Sequence, residues 1–395
     1  MALNLAHLKT QVRGFAWSLP QDAEHQDKPF VVLLHGLGGD RDDWIDPFQD
    51  RNWPYDHRRG PTELDLGEHS RPPFLQLPGI PFQQFLSPKL KGNERGAGGS
   101  DDRSWWHALV TAGFPVFAYS QRSGLLLPLD RGPVDECKRF LELLQRDVLS
   151  QPDYQQRQVV IVGHSRGGLI GRAVLSEPDV KAGTADRFPD IKGLITIASP
   201  HQGSNMALVD DVLIGALDKI QSLIPDLPHD VGAQLIETLK TKIDNYVGAH
   251  GDEIEPDSAF FQTLESREPI LSGVRCISVG GTLPRLLRIY IWAFTASSWV
   301  PRWSAERKLV FRWQAKPIEA KGASPFPDGL PLRVLGLDPS EIMRGRGDGL
   351  TADKRCQFPA SFQAEAHLSF PVSHAEELWD EALQTDVVQR LRTFC

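Results

Sequence analysis

VVIVGHSRGGLIGR, residues 159–172, sets four apolar residues directly before a serine flanked by glycines. The run 159–162 has the length and composition of a buried strand. Gly163-His164-Ser165-Arg166-Gly167 then makes a sharp turn, and Gly168-Leu169-Ile170-Gly171 can open a helix. G-x-S-x-G between a strand and a helix strains the serine backbone and lifts its hydroxyl above the sheet. Gly163 and Gly167 leave room for strand and helix to approach each other. The alternative is a glycine-rich turn whose serine is idle.

Outward from this point the chain alternates. Upstream, 31–34 reads as a strand buried on both faces and is followed by His35-Gly36-Leu37-Gly38-Gly39. A helix is expected at 104–110, closed by Gly113, then a strand at 114–119 and a helix at 135–149 ended before Pro152. Downstream come a helix at 169–176 and a strand at 191–198. Strands alternating with helices predict an α/β fold with a mainly parallel central sheet and helices on both faces. Residues 42–103, rich in Pro, Gly and Arg, show no periodicity and read as an insertion.

Beyond Ser199-Pro200-His201-Gln202-Gly203-Ser204 the alternation stops. Residues 205–268 look mostly helical and amphipathic, as a lid or cap would. A strand follows at 274–279. Residues 283–345 form a second insertion, its first part aromatic, with Trp292, Phe294, Trp299, Trp303, Phe311 and Trp313. We read it as a cap packed on its own core. The segment 376–394 has a helical pattern in Leu378, Leu383, Val387 and Leu391.

At 395 residues, 41% hydrophobic and 24% charged, the chain can bury one large α/β core with insertions. A net charge of −8 argues against a nucleic-acid partner. Cys137, Cys276, Cys356 and Cys395 are scattered, without metal-ligand spacing, which favours reduced thiols. The N-terminus lacks the pattern of a secretory leader, and the most apolar run, 289–300, is shorter than the ~20 residues of a membrane-spanning helix. The expectation is a soluble, cytoplasmic protein.

Serine needs a base to take its proton, an acid to orient the base, and donors for the oxyanion. Together, His35-Gly36-Leu37-Gly38-Gly39, Gly163-His164-Ser165-Arg166-Gly167-Gly168, Ala198-Ser199-Pro200-His201-Gln202-Gly203-Ser204 and Gly347-Asp348-Gly349-Leu350 resemble the α/β-hydrolases, more narrowly their bacterial lipase and esterase branch. The resemblance covers about half the chain and leaves out 42–103 and 283–345. It implies the order Ser, Asp, His, with Ser165 as nucleophile and Asp348 as acid; His374 is the base candidate because it lies on the loop between the apolar run 368–372 and the final helix, from which it can reach the serine. Asp338 and Asp353 are reserves for the acid, and His367 is the rival base. His35, His164 and His201 fall in motifs whose histidines are usually structural. The oxyanion hole is expected from the backbone amides of Leu37 and Arg166. Arg166 stands where Gln or Met is more usual; its side chain would either favour an acidic substrate group or pair with a carboxylate.

These residues point to a serine ester hydrolase acting through an acyl-enzyme on lipid-like or other apolar esters. No organic cofactor is required, and a structural metal is left open. Partners are a small-molecule ester and, for a lipase, a lipid interface. The alternatives are an acyltransferase or thioesterase with the same triad, and a non-catalytic binding protein on this scaffold.

Overall fold

The structure, a computed structural model, describes residues 9–10, 15–18, 28–36, 41–45, 64–67, 104–121, 132–150, 154, 157–181, 190–205, 254–267, 272–284, 287–303, 309–323, 340–374 and 376–394. Leu37, Asp338, Cys395 and residues 206–253 of the expected lid lie outside them.

In chain order the strands are β1 (Lys9–Thr10), β2 (Phe15–Ser18), β3 (Phe30–Leu34), β4 (Leu64–Gly67), β5 (Val116–Tyr119), β6 (Gln158–His164), β7 (Asp190–Ile197), β8 (Arg275–Gly281), β9 (Leu287–Trp303), β10 (Leu309–Ala323) and β11 (Ala366–Phe370). Eight of them form the main sheet, in spatial order β1-β2-β5-β3-β6-β7-β8-β11. From β5 to β11 every pairing is parallel, whereas β2 runs antiparallel to β5 and β1 antiparallel to β2.

The helices are α1 (Asp42–Ile45), α2 (Trp105–Thr111), α3 (Pro133–Leu143), α4 (Arg166–Ser176), α5 (Pro178–Lys181), α6 (Ala259–Ser266), α7 (Asp353–Cys356) and α8 (Glu381–Leu391). Strand β3, FVVLL, is fully buried because both sheet faces are covered. Its side chains alternate: Phe30, Val32 and Leu34 join Phe140, Leu144, Leu169 and Ile170 from the α3–α4 side. Val31 and Leu33 join Trp105, Leu109, Leu383 and Val387 from the α2–α8 side. Burying each such side chain contributes about 1.5–3 kcal/mol, so two continuous apolar layers fix the register of the strand.

Several bounds differ from the sequence reading, each for a local reason. Helix α4 starts at Arg166, three residues early, because its first glycines sit where no side chain fits. A Cβ on Gly167 would run into the Leu34 and His35 carbonyls, and one on Gly168 into the Ser199 side chain. The final helix starts at Glu381, capped by the Asp380 carboxylate accepting from the Leu383 amide at 2.9 Å. Glu376–Leu378 before it is a separate 3-10 turn. Helix α3 widens into a π-helical turn over Leu144–Leu149.

The insertions hold more regular structure than their sequences suggest. Residues 42–103 carry α1 and β4, and the aromatic segment extends into the long hairpin β9–β10. Strand β4 pairs with β10, so both insertions contribute to one antiparallel sheet of order β4-β10-β9. Trp44 of α1 is buried, with its ring 6.0 Å edge-on from Trp105.

Candidate active site

The carboxyl ends of β3, β6, β7, β8 and β11 bring the conspicuous motifs to one edge of the sheet, where parallel α/β folds place their sites. Ser165 follows β6 with φ 52° and ψ −124°, a left-handed backbone held by a non-glycine residue. Its amide donates to the Ile197 carbonyl at 2.8 Å, and its carbonyl accepts from the Gly168 amide at 3.0 Å. Although Ser165 occupies the N-cap position of α4, its side chain makes no capping bond. It is partly exposed, between buried His164 and Arg166.

Gly163 and Gly36 make this geometry possible. A Cβ on Gly163 would stand 2.5 Å from the Gly168 nitrogen, and one on Gly36 would stand 3.0 Å from both His164 Nδ1 and Ser165 Cβ. The His-Gly turn after β3 therefore lies directly against the serine.

Asp348 and His374 meet although 26 residues apart, His374 Nδ1 standing 2.8 Å from Asp348 Oδ2. Asp348 Oδ1 accepts from the amides of Leu350 and Thr351 at 2.7 and 2.6 Å, and the His374 amide donates to the Asp348 carbonyl at 3.2 Å. The carboxylate can only accept, so Nδ1 carries the imidazole hydrogen and Nε2 is left as a base. Both side chains are buried, with relative exposures of 1% and 5%. The His374 ring packs on His164, the residue before Ser165, at a centroid distance of 4.7 Å.

His164 Nε2 lies 3.1 Å from the His374 carbonyl, which fixes its hydrogen on Nε2. Burial, then the neighbouring His374 ring, hold its pKa well below the usual value. Burial acts the same way on His201, whose Nε2 lies 2.8 Å from Thr196 Oγ1 and whose ring stacks on Phe358 at 4.0 Å. His35 is lowered to about 4, by burial first. All three are buried and neutral at pH 7, as structural histidines are.

Two of the reserves, His367 and Asp353, are used elsewhere. His367 offers Nδ1 to Ser278 Oγ at 2.8 Å and Nε2 to Asp353 Oδ1 at 3.1 Å, and Asp353 also accepts from Ser369. The Arg166 guanidinium donates to the Gln121 side-chain oxygen at 2.5 Å, a neutral partner that the sequence reading did not anticipate.

Glu377 was also missed. Its side chain is fully buried, with Oε2 3.5 Å from His164 Nε2. Burial first, then Asp348, Asp353, Glu376 and Asp380, raise its pKa well above the usual carboxylate range. The sequence hid it in an acidic pair beside a helix start. Among the described residues, His164, His374 and Glu377 are the set that brings three metal-type ligand atoms within 4.8 Å of one another. His164 Nε2 and His374 Nδ1 are already bonded within the site, so the set belongs to the serine centre as it stands.

Residues 133–224 match the family model described as a PGAP1-like alpha/beta domain. No curated protein matches the chain in sequence. Among solved structures, the chain is similar to the mature lipase BlEst2 of Bacillus licheniformis, with 14% identity, 95% of this chain and 97% of that chain covered, and TM-score 0.44. It is similar also to a gene product of Listeria innocua, with 13% identity, 93% and 96% covered, and TM-score 0.40. A hydrolase from Pseudomonas aeruginosa PA01 shows 14% identity, 99% of both chains covered, and TM-score 0.39. Numbered among themselves in chain order, the strands of the main sheet stand 1-2-4-3-5-6-7-8, with the second antiparallel and the serine elbow after the fifth. That arrangement is the α/β-hydrolase fold, and this chain has it.

Proposed function

We propose that the chain is a serine carboxylic-ester hydrolase. Ser165 Oγ attacks the ester carbonyl while His374 Nε2 takes its proton, forming a tetrahedral oxyanion. Collapse expels the alcohol, which receives that proton from His374, and leaves an acyl-serine. Water, deprotonated by the same nitrogen, attacks the acyl-serine and releases the acid. Asp348 holds the imidazole in its Nδ1–H form, and backbone amides of Leu37 and Arg166 hold the oxyanion. The apolar, amphipathic residues 205–268 and the aromatic residues 283–313 suit a lipid-like acyl group. No step calls for an organic cofactor.

The observation that carries this reading is the 2.8 Å bond between His374 and Asp348 beside a serine with φ 52°. The experiment is hydrolysis of p-nitrophenyl esters from acetyl to palmitoyl by wild type and Ser165→Ala. Activity lost in the variant supports the serine mechanism, and the chain-length optimum separates esterase from lipase. Activity that survives Ser165→Ala would overturn it.

A further inference from the structure

Arg166 is the first residue of α4, yet its side chain reaches away from the helix to the loop after β5. There Gln121 bonds through three of its groups. Its Oε1 accepts from Arg166 Nη1 at 2.5 Å, its amide donates to His35 Nε2 at 2.9 Å, and its Nε2 donates to the His35 carbonyl. His35 Nε2 is thus an acceptor, so Nδ1 bears the hydrogen and donates to the Gly36 carbonyl at 2.7 Å. His35, Gln121 and Arg166 are all buried, with relative exposures of 0%, 5% and 3%. Three hydrogen bonds through Gln121 therefore join the start of α4 to the His35-Gly36 turn, and a fourth, His35 to Gly36, lies within the turn itself.

These are the two pieces of backbone from which an oxyanion site would be made: Gly36 precedes Leu37, and Arg166 follows Ser165. We propose that Arg166 is a positioning residue, clamping the His35-Gly36 turn to the start of α4 through Gln121 so that both arms of the oxyanion site hold one spacing. The inference rests on the serine-hydrolase reading for its role in rate, although the clamp itself does not. Methionine at 166 would fill space without donating, so this chain carries a tie that such a side chain lacks. Oxyanion donors act through distance, and a shift of about 1 Å in a catalytic group can cost about 10²-fold in rate.

The test compares wild type, Arg166→Met, Gln121→Ala and the double variant. Two readouts are used: hydrogen–deuterium exchange of the peptide spanning 30–40, and kcat and KM on the best p-nitrophenyl ester. Each single variant is expected to speed exchange at this turn about tenfold, with other peptides unchanged, and to lower kcat at least about tenfold with KM within about twofold. The double variant should be no worse than the more affected single variant, since a chain of bonds is broken once. Arg166→Lys, which keeps one donor, should recover part of both losses. Unchanged exchange at 30–40, or losses that multiply in the double variant, would overturn the clamp. Exchange rising across the whole chain would also overturn it, by showing a merely structural role. Should wild type hydrolyse no ester, the hydrolase reading fails by itself and the exchange readout alone decides the clamp.

Discussion

His374 and Asp348 are joined twice, Nδ1 to Oδ2 at 2.8 Å and the His374 amide to the Asp348 carbonyl at 3.2 Å. The second bond is main chain, so the loops after β8 and β11 stay docked when the side chain changes. Asp348→Asn tests the electrostatic part by itself. The Leu350 and Thr351 amides both aim at Oδ1, so the asparagine oxygen must take that place and turn its NH₂ toward His374. The imidazole is then driven into the Nε2–H tautomer, which cannot accept a proton from Ser165. We expect kcat to fall by about 10³–10⁴ while the melting temperature stays within a few degrees. Retention of activity within tenfold, measured on the best ester substrate, would remove Asp348 from the role of acid.

Gly167 tests the elbow. Its missing Cβ faces the Leu34 and His35 carbonyls, which belong to the end of a fully buried strand and the turn after it. Neither carbonyl can swing aside as a long side chain would. Gly167→Ala is therefore expected to cost at least about 1–3 kcal/mol through overpacking, read as a lower urea midpoint. Ala173, buried in the middle of the same helix, is a comparison position for Ala→Gly, where the propensity loss of about 1 kcal/mol adds to about 0.8 kcal/mol for one lost buried methyl. Equal midpoints for Gly167→Ala and wild type would mean that α4 can slide relative to β3.

The elements around Ser165 were legible because both sheet faces are buried. Short apolar runs such as 31–34 and 159–162 can then be little else than parallel strands, and glycines follow soon after each. Asp348 came from motif resemblance and His374 from its place between the last apolar run and the final helix, and only the fold shows that they bond. Gln121 was illegible because its three bonds go to residues 35 and 166, far away in sequence. Glu377 was illegible because beside Glu376 it looks like one more solvated charge at a helix start; the 3-10 turn drives it inward instead. The hairpin β9–β10 escaped because the run 289–294 is apolar at every position and shows no period, while the alternation Phe311-Arg312-Trp313-Gln314-Ala315-Lys316 of β10 went unread.

Three buried histidines set an acid limit. His35 is lowered from 6.5 to about 4, chiefly by burial, and His164 and His201 move the same way. Below about pH 6.5 the unfolded chain takes up protons that the folded chain refuses, so folding weakens as pH falls. For His35 the loss runs from 6.5 to about 4 and approaches about 3 kcal/mol at its end. Urea midpoints at pH 7.5, 6.0 and 5.0 should decline, and His201→Gln should make the decline shallower than in wild type. Parallel declines in the two proteins would show that His201 is not held neutral by the fold.

Glu377 acts with the opposite sign. Its side chain is fully buried, with His164 Nε2 3.5 Å away, and it keeps its proton to well above the usual 4.5. Once the pH exceeds 4.5, the unfolded chain releases this proton while the folded chain retains it, so the group opposes folding more with each step upward. The slope is at most about 1.4 kcal/mol per pH unit and ends where the folded carboxyl finally ionises. Glu377→Gln keeps the shape and neutrality of the protonated acid without this penalty. The variant should match wild type near pH 4 and become progressively more stable than it between about pH 5 and 8, seen as a widening gap in urea midpoint. A gap that stays constant with pH would mean that Glu377 ionises normally in the folded chain. A variant less stable than wild type at pH 8 would mean instead that its charge is paired, with His164 as the protonated partner at 3.5 Å.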